Sequence, residues 1–330
     1  MKLFRILFLN LLFVFSLFVS NAFADDYNDK KEVKKFINEM VKKHKFNKQH
    51  LEKLFSKAKL YDSILEAIAR PAEGKPWHQY RPIFVTKKRA QGGIDFWKKN
   101  AEALARAEET YGVPQEIIVA IIGVETRYGK HAGTYPVFDS LATLAFGYPP
   151  RATFFRSELE HFLLMTREEN FDASKLLGSY AGAMGMPQFI SSSFRRYAID
   201  FDGDGKRDLW SNPTDAIGSV ANYFRKHHWK KGQPVTHKVQ VHGDNHPKLI
   251  TKSLKPTHSQ LELLVNGVIL PGKIGAKLKG KLLALKTEKD PEYWVAWNNF
   301  YVITRYNHSA LYSMAVFQLS QKIKQGYLKL

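Results

Sequence analysis

Residues 115–129, QEIIVAIIGVETRYG, are the stretch on which the reading of this chain turns. Tyr111-Gly112-Val113-Pro114 precedes them as a turn and places Pro114 at the first helical position, where a missing N–H leaves nothing unpaired. Gly129 reads as the C′ glycine that stops the helix. Ile117 to Val124 is apolar all round, which predicts a helix buried on most sides. Glu125 comes next, stacked by helical spacing over Ile118, Ile121 and Ile122. A carboxyl on the greasy side of a helix, close to its C-terminal end, is disfavoured as an anion on both counts, and its pKa should rise. Protonating a glycosidic leaving oxygen requires such an acid. A buried Glu125 paired with Arg127 or another cation is the plain alternative, and this segment alone does not separate the two.

Outward from this helix the chain reads mainly as further helices. Val33, Phe36, Ile37, Met40 and Val41, then Leu51, Leu54, Phe55, Leu60, Ile64 and Ile68, keep helical spacing across residues 31–70. Pro71, Pro76 and Pro82 predict irregular structure around Trp77-His78-Gln79-Tyr80, with helix resuming from Ile94 to Glu109. More helices are expected at 152–168 and 214–228. After Trp229 the pattern alternates, as in His237-Lys238-Val239-Gln240-Val241. Leu263-Leu264-Val265, Asn266-Gly267, Val268-Ile269-Leu270 carries a type I′ hairpin signal. Tyr312 to Ile323 returns to helical spacing. The expected organisation is a signal peptide over 1–24, an N-terminal helical region over 25–110 and a core over 111–230. A small β subdomain over 231–297 and a C-terminal helix over 298–330 that packs back on the core complete it. The fold class is mainly α, with α+β character from that insertion.

Lys2 and Arg5, the apolar run Ile6–Val19 and Ala22-Phe23-Ala24 make the three parts of a secretory signal peptide, with an uncleaved anchor as the alternative. Cleavage would leave an exported chain starting near Asp25, in the periplasm of a Gram-negative envelope. The sequence has no cysteine, so there is no disulfide, thiolate nucleophile or lipid-modified cysteine to reason from. A formal net charge of +19 points to an anionic partner. Lys30, Lys31, Lys34, Lys35 and Lys273, Lys277, Lys279, Lys281 are scattered, and an exported chain meets little nucleic acid. An anionic cell-wall polymer suits this charge better.

Gly178-Ser179-Tyr180-Ala181-Gly182-Ala183-Met184-Gly185-Met186-Pro187-Gln188-Phe189 is a second candidate cluster. Its glycines let backbone approach a ligand, and Ser179 and Gln188 can hydrogen-bond to one; an ordinary tight loop is the alternative. Asp200-Phe201-Asp202-Gly203-Asp204-Gly205-Lys206-Arg207-Asp208 sets acids at positions 1, 3, 5 and 9 and glycine at 6 of an EF-hand-like loop. Lys206 would ligate Ca²⁺ through its carbonyl, and Ser211 replaces the usual bidentate Glu at position 12. An acidic turn without metal is the alternative.

IIGVETRYG, YAGAMGMPQF, DFDGDG and ITRYNHS, in that order, resemble the lytic murein transglycosylase B family, glycoside hydrolase family 103. The likeness runs from about Trp77 to the C-terminus. It implies a lysozyme-like helical core, an additional helical region and a small β region around a deep groove. It further implies cleavage of the β-1,4 bond between N-acetylmuramic acid and N-acetylglucosamine, leaving a 1,6-anhydromuramoyl end. Carried over by position, Glu125 is the catalytic acid, Ser179 the serine that orients it and Gln188 a groove residue. Tyr80, Tyr306, Asn307 and Tyr312 hold sugar or shape the acid's surroundings. Arg151 matches one of two arginines near the peptide stem, and Pro150 departs from the other. Tyr128 stands where a relative has Trp, which would keep an aromatic surface. Asp215 matches the aspartate that closes the calcium loop. No second acid occurs in the Glu125 or Gly178–Phe189 motifs, although Glu158, Glu160 and Glu168 stay open. With one carboxyl, Glu125 would act first as acid and then as base toward the substrate's own C6 hydroxyl, with no cofactor in the chemistry and a structural Ca²⁺ elsewhere. Peptidoglycan strands are the expected partner, with cell-wall synthases as further candidates. Nucleic acid is not expected, nor a membrane unless the signal segment stays uncleaved, and the chain is expected to be a monomer. A hydrolytic muramidase and a non-catalytic wall-binding scaffold remain the competing readings.

Overall fold

The computed structural model describes residues 30–69, 74–272, 274–275 and 277–330. The expected signal peptide, the start near Asp25, Pro71 and Lys273 lie outside the described residues. These residues form two compact units, one ending at Lys57 and one beginning at Ala58. The first holds α1 (Lys31–His44) and α2 (Lys48–Ser56). Val33, Phe36, Ile37 and Met40 form the buried stripe of α1, which ends where Lys45 turns left-handed at φ 58°. Asn47 caps α2 by accepting the His50 N–H at 2.8 Å.

The second unit runs α3 (Asp62–Ala69), α4 (Trp77–Phe84), α5 (Lys87–Lys99), α6 (Ala101–Tyr111) and α7 (Gln115–Thr126). Four local expectations change here. The Trp77–Tyr80 segment is helical, as part of Trp77–Phe84, despite Pro82 inside that helix. Trp77 is fully buried and stacks on Tyr80, which packs on Phe84, so tertiary contact outweighs the lost hydrogen bond. The run from Ile94 to Glu109 is two helices rather than one. Asn100 leaves helical geometry at φ −123° and its amide bonds back to the Phe96 carbonyl at 2.8 Å. Pro114 sits one residue before the helix, in extended geometry. Finally, α7 ends three residues before Gly129, with Arg127 itself left-handed at φ 51°.

The chain continues through β1 (Tyr135–Pro136), α8 (Val137–Gly147), α9 (Ala152–Glu168), β2 (Leu177–Gly178), α10 (Ser191–Tyr197) and α11 (Pro213–Lys226). β1 and β2 pair antiparallel, Tyr135 opposite Gly178. Next come β3 (Thr236–Val241), α12 (Gln260–Val265), β4 (Val268–Ile269), β5 (Lys281–Leu285) and β6 (Glu292–Ala296). The four strands make one antiparallel sheet in the order β4-β3-β6-β5, with Val239 opposite Tyr293 and Leu283 opposite Trp294.

The expected hairpin at Asn266-Gly267 is not formed, because Gln260–Val265 is helical. Ser259 accepts the Glu262 N–H at 3.1 Å, an S-x-x-E start that the hairpin signal masked. The Asn-Gly pair ends this helix instead. Gly267 is left-handed at φ 82°, and a Cβ there would lie 1.9 Å from the His242 carbonyl oxygen.

The C-terminal stretch is two helices, not one: α13 (Asn298–Tyr306) and α14 (Ala310–Tyr327), the latter capped by Ser309. One side of the sheet encloses Val239, Leu263, Leu282 and Val295 around Trp297. From the other, Leu283, Leu285 and Ala296 pack with Trp77 of α4, Phe300 of α13 and Met314 and Ala315 of α14. α14 also lies along α5 and α7. The architecture is mainly helical with small sheets, and α3 to α6 belong to the same compact unit as the sheet. Among the described residues no helix is long and apolar enough to cross a membrane.

Candidate active site

Every residue from Glu116 to Val124 of α7 is buried, so the helix delivers Glu125 to the edge of the core. The carboxyl of this half-buried residue is enclosed by protein, and that desolvation pushes its pKa up to about 7. One hydrogen bond opposes the rise: the Tyr312 hydroxyl, from the first turn of α14, donates to Glu125 Oε1. Neither an arginine nor a second carboxylate contributes to the shift, so the paired-cation alternative is not what the structure holds. Glu158 and Glu168 are engaged elsewhere, by the Ser192 N–H and by the Arg195 guanidinium respectively.

Directly after Glu125 the backbone is clamped in an uncommon conformation. Arg127, Tyr128 and Gly129 are all left-handed, at φ 51°, 64° and 84°. For the two non-glycine residues this costs on the order of 1–2 kcal/mol each. Thr126, fully buried, holds the turn: its hydroxyl donates to the Met186 carbonyl at 2.8 Å and accepts the Gly129 N–H at 3.0 Å. Tyr128 does not offer an aromatic surface. Its ring packs on Phe96 and its hydroxyl donates to the Arg89 carbonyl at 2.7 Å, inside the helix packing.

The glycine-rich segment folds as a pair of tight turns. Ser179 N–H donates to the Ala183 carbonyl at 2.8 Å, and Met184 and Phe189 exchange two backbone bonds at 2.8 and 3.0 Å. Gly185 is left-handed at φ 68°, and a Cβ there would lie 2.5 Å from the Leu209 carbonyl oxygen, so only glycine fits. Two side chains from outside the loop hold its carbonyls, Thr126 at Met186 and the Tyr306 hydroxyl at Pro187. The helix bearing Glu125 and the loop are therefore a single hydrogen-bonded construction.

The expected residues are brought together unequally. Tyr312, Tyr306 and Tyr80 gather around the acid: Glu125 raises both the Tyr306 and Tyr312 hydroxyl pKa values, after burial, and Tyr80 acts on Tyr312. Ser179 does not hydrogen-bond Glu125; its hydroxyl oxygen accepts the Ala183 N–H at 3.0 Å and braces the loop, leaving Tyr312 as the acid's partner. Gln188, itself left-handed at φ 53°, spends its amide on the carbonyls of Ala132 and Gly185, both at 3.0 Å. Asn307 is exposed, and Arg151, also exposed, stacks over Phe154 at 4.5 Å and Phe155 at 5.1 Å. Sequence reading missed Thr126 and Tyr223. Tyr223 packs its ring 4.8 Å from Tyr306 and 5.7 Å from Phe189, backing the tyrosine that feels the acid's charge. Nothing in the spacing of α11 marks it, although the Thr126-x-x-Gly129 pattern was visible.

At the acidic loop, carboxylate oxygens of Asp200, Asp202 and Asp204 lie within 4.8 Å of one another. That is the spread of oxygens around one Ca²⁺ at about 2.4 Å, so the hard-oxygen set fits such an ion. Asp208 and Asp215 are not in that cluster. Asp208 accepts from Trp210 and Ser211, while buried Asp215 accepts the Phe201 N–H at 2.7 Å and the Asp208 N–H at 2.8 Å. They shape the loop by holding its backbone. Lys206 is exposed, and its N–H donates to Asp204 at 2.9 Å.

Residues 28–321 match the family described as transglycosylase SLT domain. The chain is 44% identical over 308 residues to membrane-bound lytic murein transglycosylase B of Escherichia coli (strain K12), covering 90% of this chain and 84% of that protein. The crystal structure of soluble lytic transglycosylase SltB1 from Pseudomonas aeruginosa is similar at TM-score 0.86 and 50% identity, over 89% of this chain and 99% of that one. The Escherichia coli lytic transglycosylase Slt35 in complex with calcium gives TM-score 0.86 at 44% identity, over 92% and 96% of the two chains. By the extent of these matches, the chain belongs to the transglycosylase SLT domain family.

Proposed function

We propose that this protein is a lytic transglycosylase of peptidoglycan that cleaves the β-1,4 bond between N-acetylmuramic acid and N-acetylglucosamine through Glu125 alone. The observation that carries the reading is an enclosed Glu125 carboxyl with its pKa near 7, bonded to Tyr312 and, among the described residues, to no second acid. Protonated Glu125 donates its proton to the glycosidic oxygen as the C1–O bond breaks, and the substrate's N-acetyl group stabilises the positive charge left at C1. The carboxylate then takes the proton from the C6 hydroxyl of the same sugar. That oxygen closes on C1 to form the 1,6-anhydro ring, with no water consumed. Attack within one bound sugar avoids the entropy of capturing a second molecule. The Tyr312 hydroxyl steadies the carboxylate at the stage where it is ionised. Tyr80, Tyr306 and Asn307 are assigned to holding sugar; Gln188 and Ser179 support the loop beside it.

A Ca²⁺ held by Asp200, Asp202 and Asp204, with the Lys206 carbonyl, would hold the loop between α10 and α11 together and take no part in the chemistry. Asp208 and Asp215 brace that site. Support comes from the oxygen spacing and from the calcium bound to Slt35. The chain is assigned to the bacterial envelope, acting on the periplasmic side.

The deciding experiment is mass spectrometry of peptidoglycan digested by the protein. 1,6-Anhydromuramoyl ends are expected, absent with Glu125→Gln. Reducing ends would replace the transglycosylase reading with hydrolysis, and undiminished digestion by the Gln variant would remove Glu125 from the mechanism.

A further inference from the structure

A cavity of about 580 Å³ opens between α9, α10, α11 and α13, with Tyr223 in its lining. Its lining is rich in cationic groups, but they differ in what they already hold. Arg195 is committed: it forks onto Glu168 and meets His161 Nδ1 at 2.7 Å. Arg196 and Arg305 have no carboxylate partner among the described residues, and Glu158, the one acid in the lining, is buried and bonded to the Ser192 N–H at 2.9 Å. Both guanidiniums, which otherwise lie over the rings of Tyr197 and Tyr301, bear on His227. Its pKa is pushed down to about 4 by burial, then by Arg305, His228 and Arg196, and its Nε2 has no hydrogen-bond partner. An exposed Arg196 and a half-buried Arg305, neither held by a carboxylate, face one cavity beside the unpartnered His227 Nε2, a cationic lining that suits a bound anion.

We propose that this cavity is an anion site for a free carboxylate of the peptide stem on the glycan strand, held by Arg196 and Arg305. The assignment rests on the peptidoglycan-cleaving reading above. The sugars of such a strand are neutral once the lactyl carboxyl is tied up as an amide, so the substrate's anionic groups are those of its stems. One aromatic cluster links the cavity to the acid. Tyr223 lines the cavity, its ring is 4.8 Å from that of Tyr306, and Tyr306 feels the charge of Glu125. Arg151 is stacked on Phe154 and Phe155 and is not part of the lining.

The test compares intact sacculi with the same material stripped of stems by an amidase, which leaves only the short lactyl carboxylate on the sugar in place of the stem's own carboxylates. The Arg196→Gln/Arg305→Gln double variant should lose kcat/KM on intact sacculi by about tenfold per arginine, the order expected for a charge-assisted hydrogen bond, and keep its rate on stripped glycan. Arg196→Lys/Arg305→Lys should recover part of the loss. Equal loss on both substrates, or none on either, would overturn the assignment. Calorimetry on the wild-type protein decides independently of how the variants fold. The free stem peptide should bind and its carboxamide analogue should not. No binding of the acid form, or tighter binding of inorganic phosphate than of the peptide, would also overturn it. A wild-type protein inert on both polymers would count against the enzymatic reading, and peptide binding would still decide the anion site.

Discussion

Replacing Glu125 by Gln should abolish activity and also stabilise the protein, by an amount that depends on pH. The folded carboxyl titrates near 7 against 4.5 for an unperturbed glutamate, the value it regains in the unfolded chain. Below the lower value both states are protonated and the group contributes nothing. Between the two, the unfolded state loses its proton while the folded state keeps it, so stability falls as pH rises. Above 7 both are ionised, and the folded state bears the whole difference. A gap of about 2.5 pH units, at about 1.4 kcal/mol each, makes this roughly 3 kcal/mol. Gln is neutral throughout and can still accept the Tyr312 hydroxyl. Glu125→Gln should therefore exceed the wild type by roughly 3 kcal/mol at pH 8 and by only about 1 kcal/mol at pH 5. Urea unfolding at the two pH values measures this directly, and at pH 8 the melting temperature should rise by on the order of 5 °C. A stability difference that stays constant with pH, or grows toward acid, would refute both the raised pKa and its origin in burial.

Three further perturbations probe other parts of the site. Tyr312→Phe removes the bond that favours ionised Glu125, so the alkaline fall in kcat/KM should move up by about one pH unit or more, as read from a pH–rate profile. Gly185→Ala forces a Cβ against the Leu209 carbonyl at a left-handed position. It should cost at least about 2 kcal/mol in denaturant unfolding and reduce turnover through the displaced loop. Chelation with EDTA should lower the melting temperature, added Ca²⁺ should restore it, and Asp200→Asn should blunt that recovery; unchanged melting on chelation would mean the loop holds no ion.

The sequence by itself determined what depends on neighbours along the chain. The buried stripe of α7, the extents of α9 and α11, the close turns around Gly185 and the spacing of Asp200, Asp202 and Asp204 all follow from periodicity and turn chemistry. Where local signals competed, tertiary packing decided. Trp77 made a helix around Pro82, and Ser259 with Glu262 turned an apparent hairpin into α12. The partner of Glu125 was equally beyond local rules. Tyr312 lies 187 residues later and reaches the acid because α14 packs along α7, while Ser179, nearer in sequence, turns to its own loop. Tyr223, Arg196 and Arg305, which line one cavity, belong to helices whose spacing marks nothing unusual. The physical reason is common to all of these. Periodicity states which face of an element must leave water, but a pKa or a binding cavity is a property of everything that closes over that face, and only the assembled core supplies it.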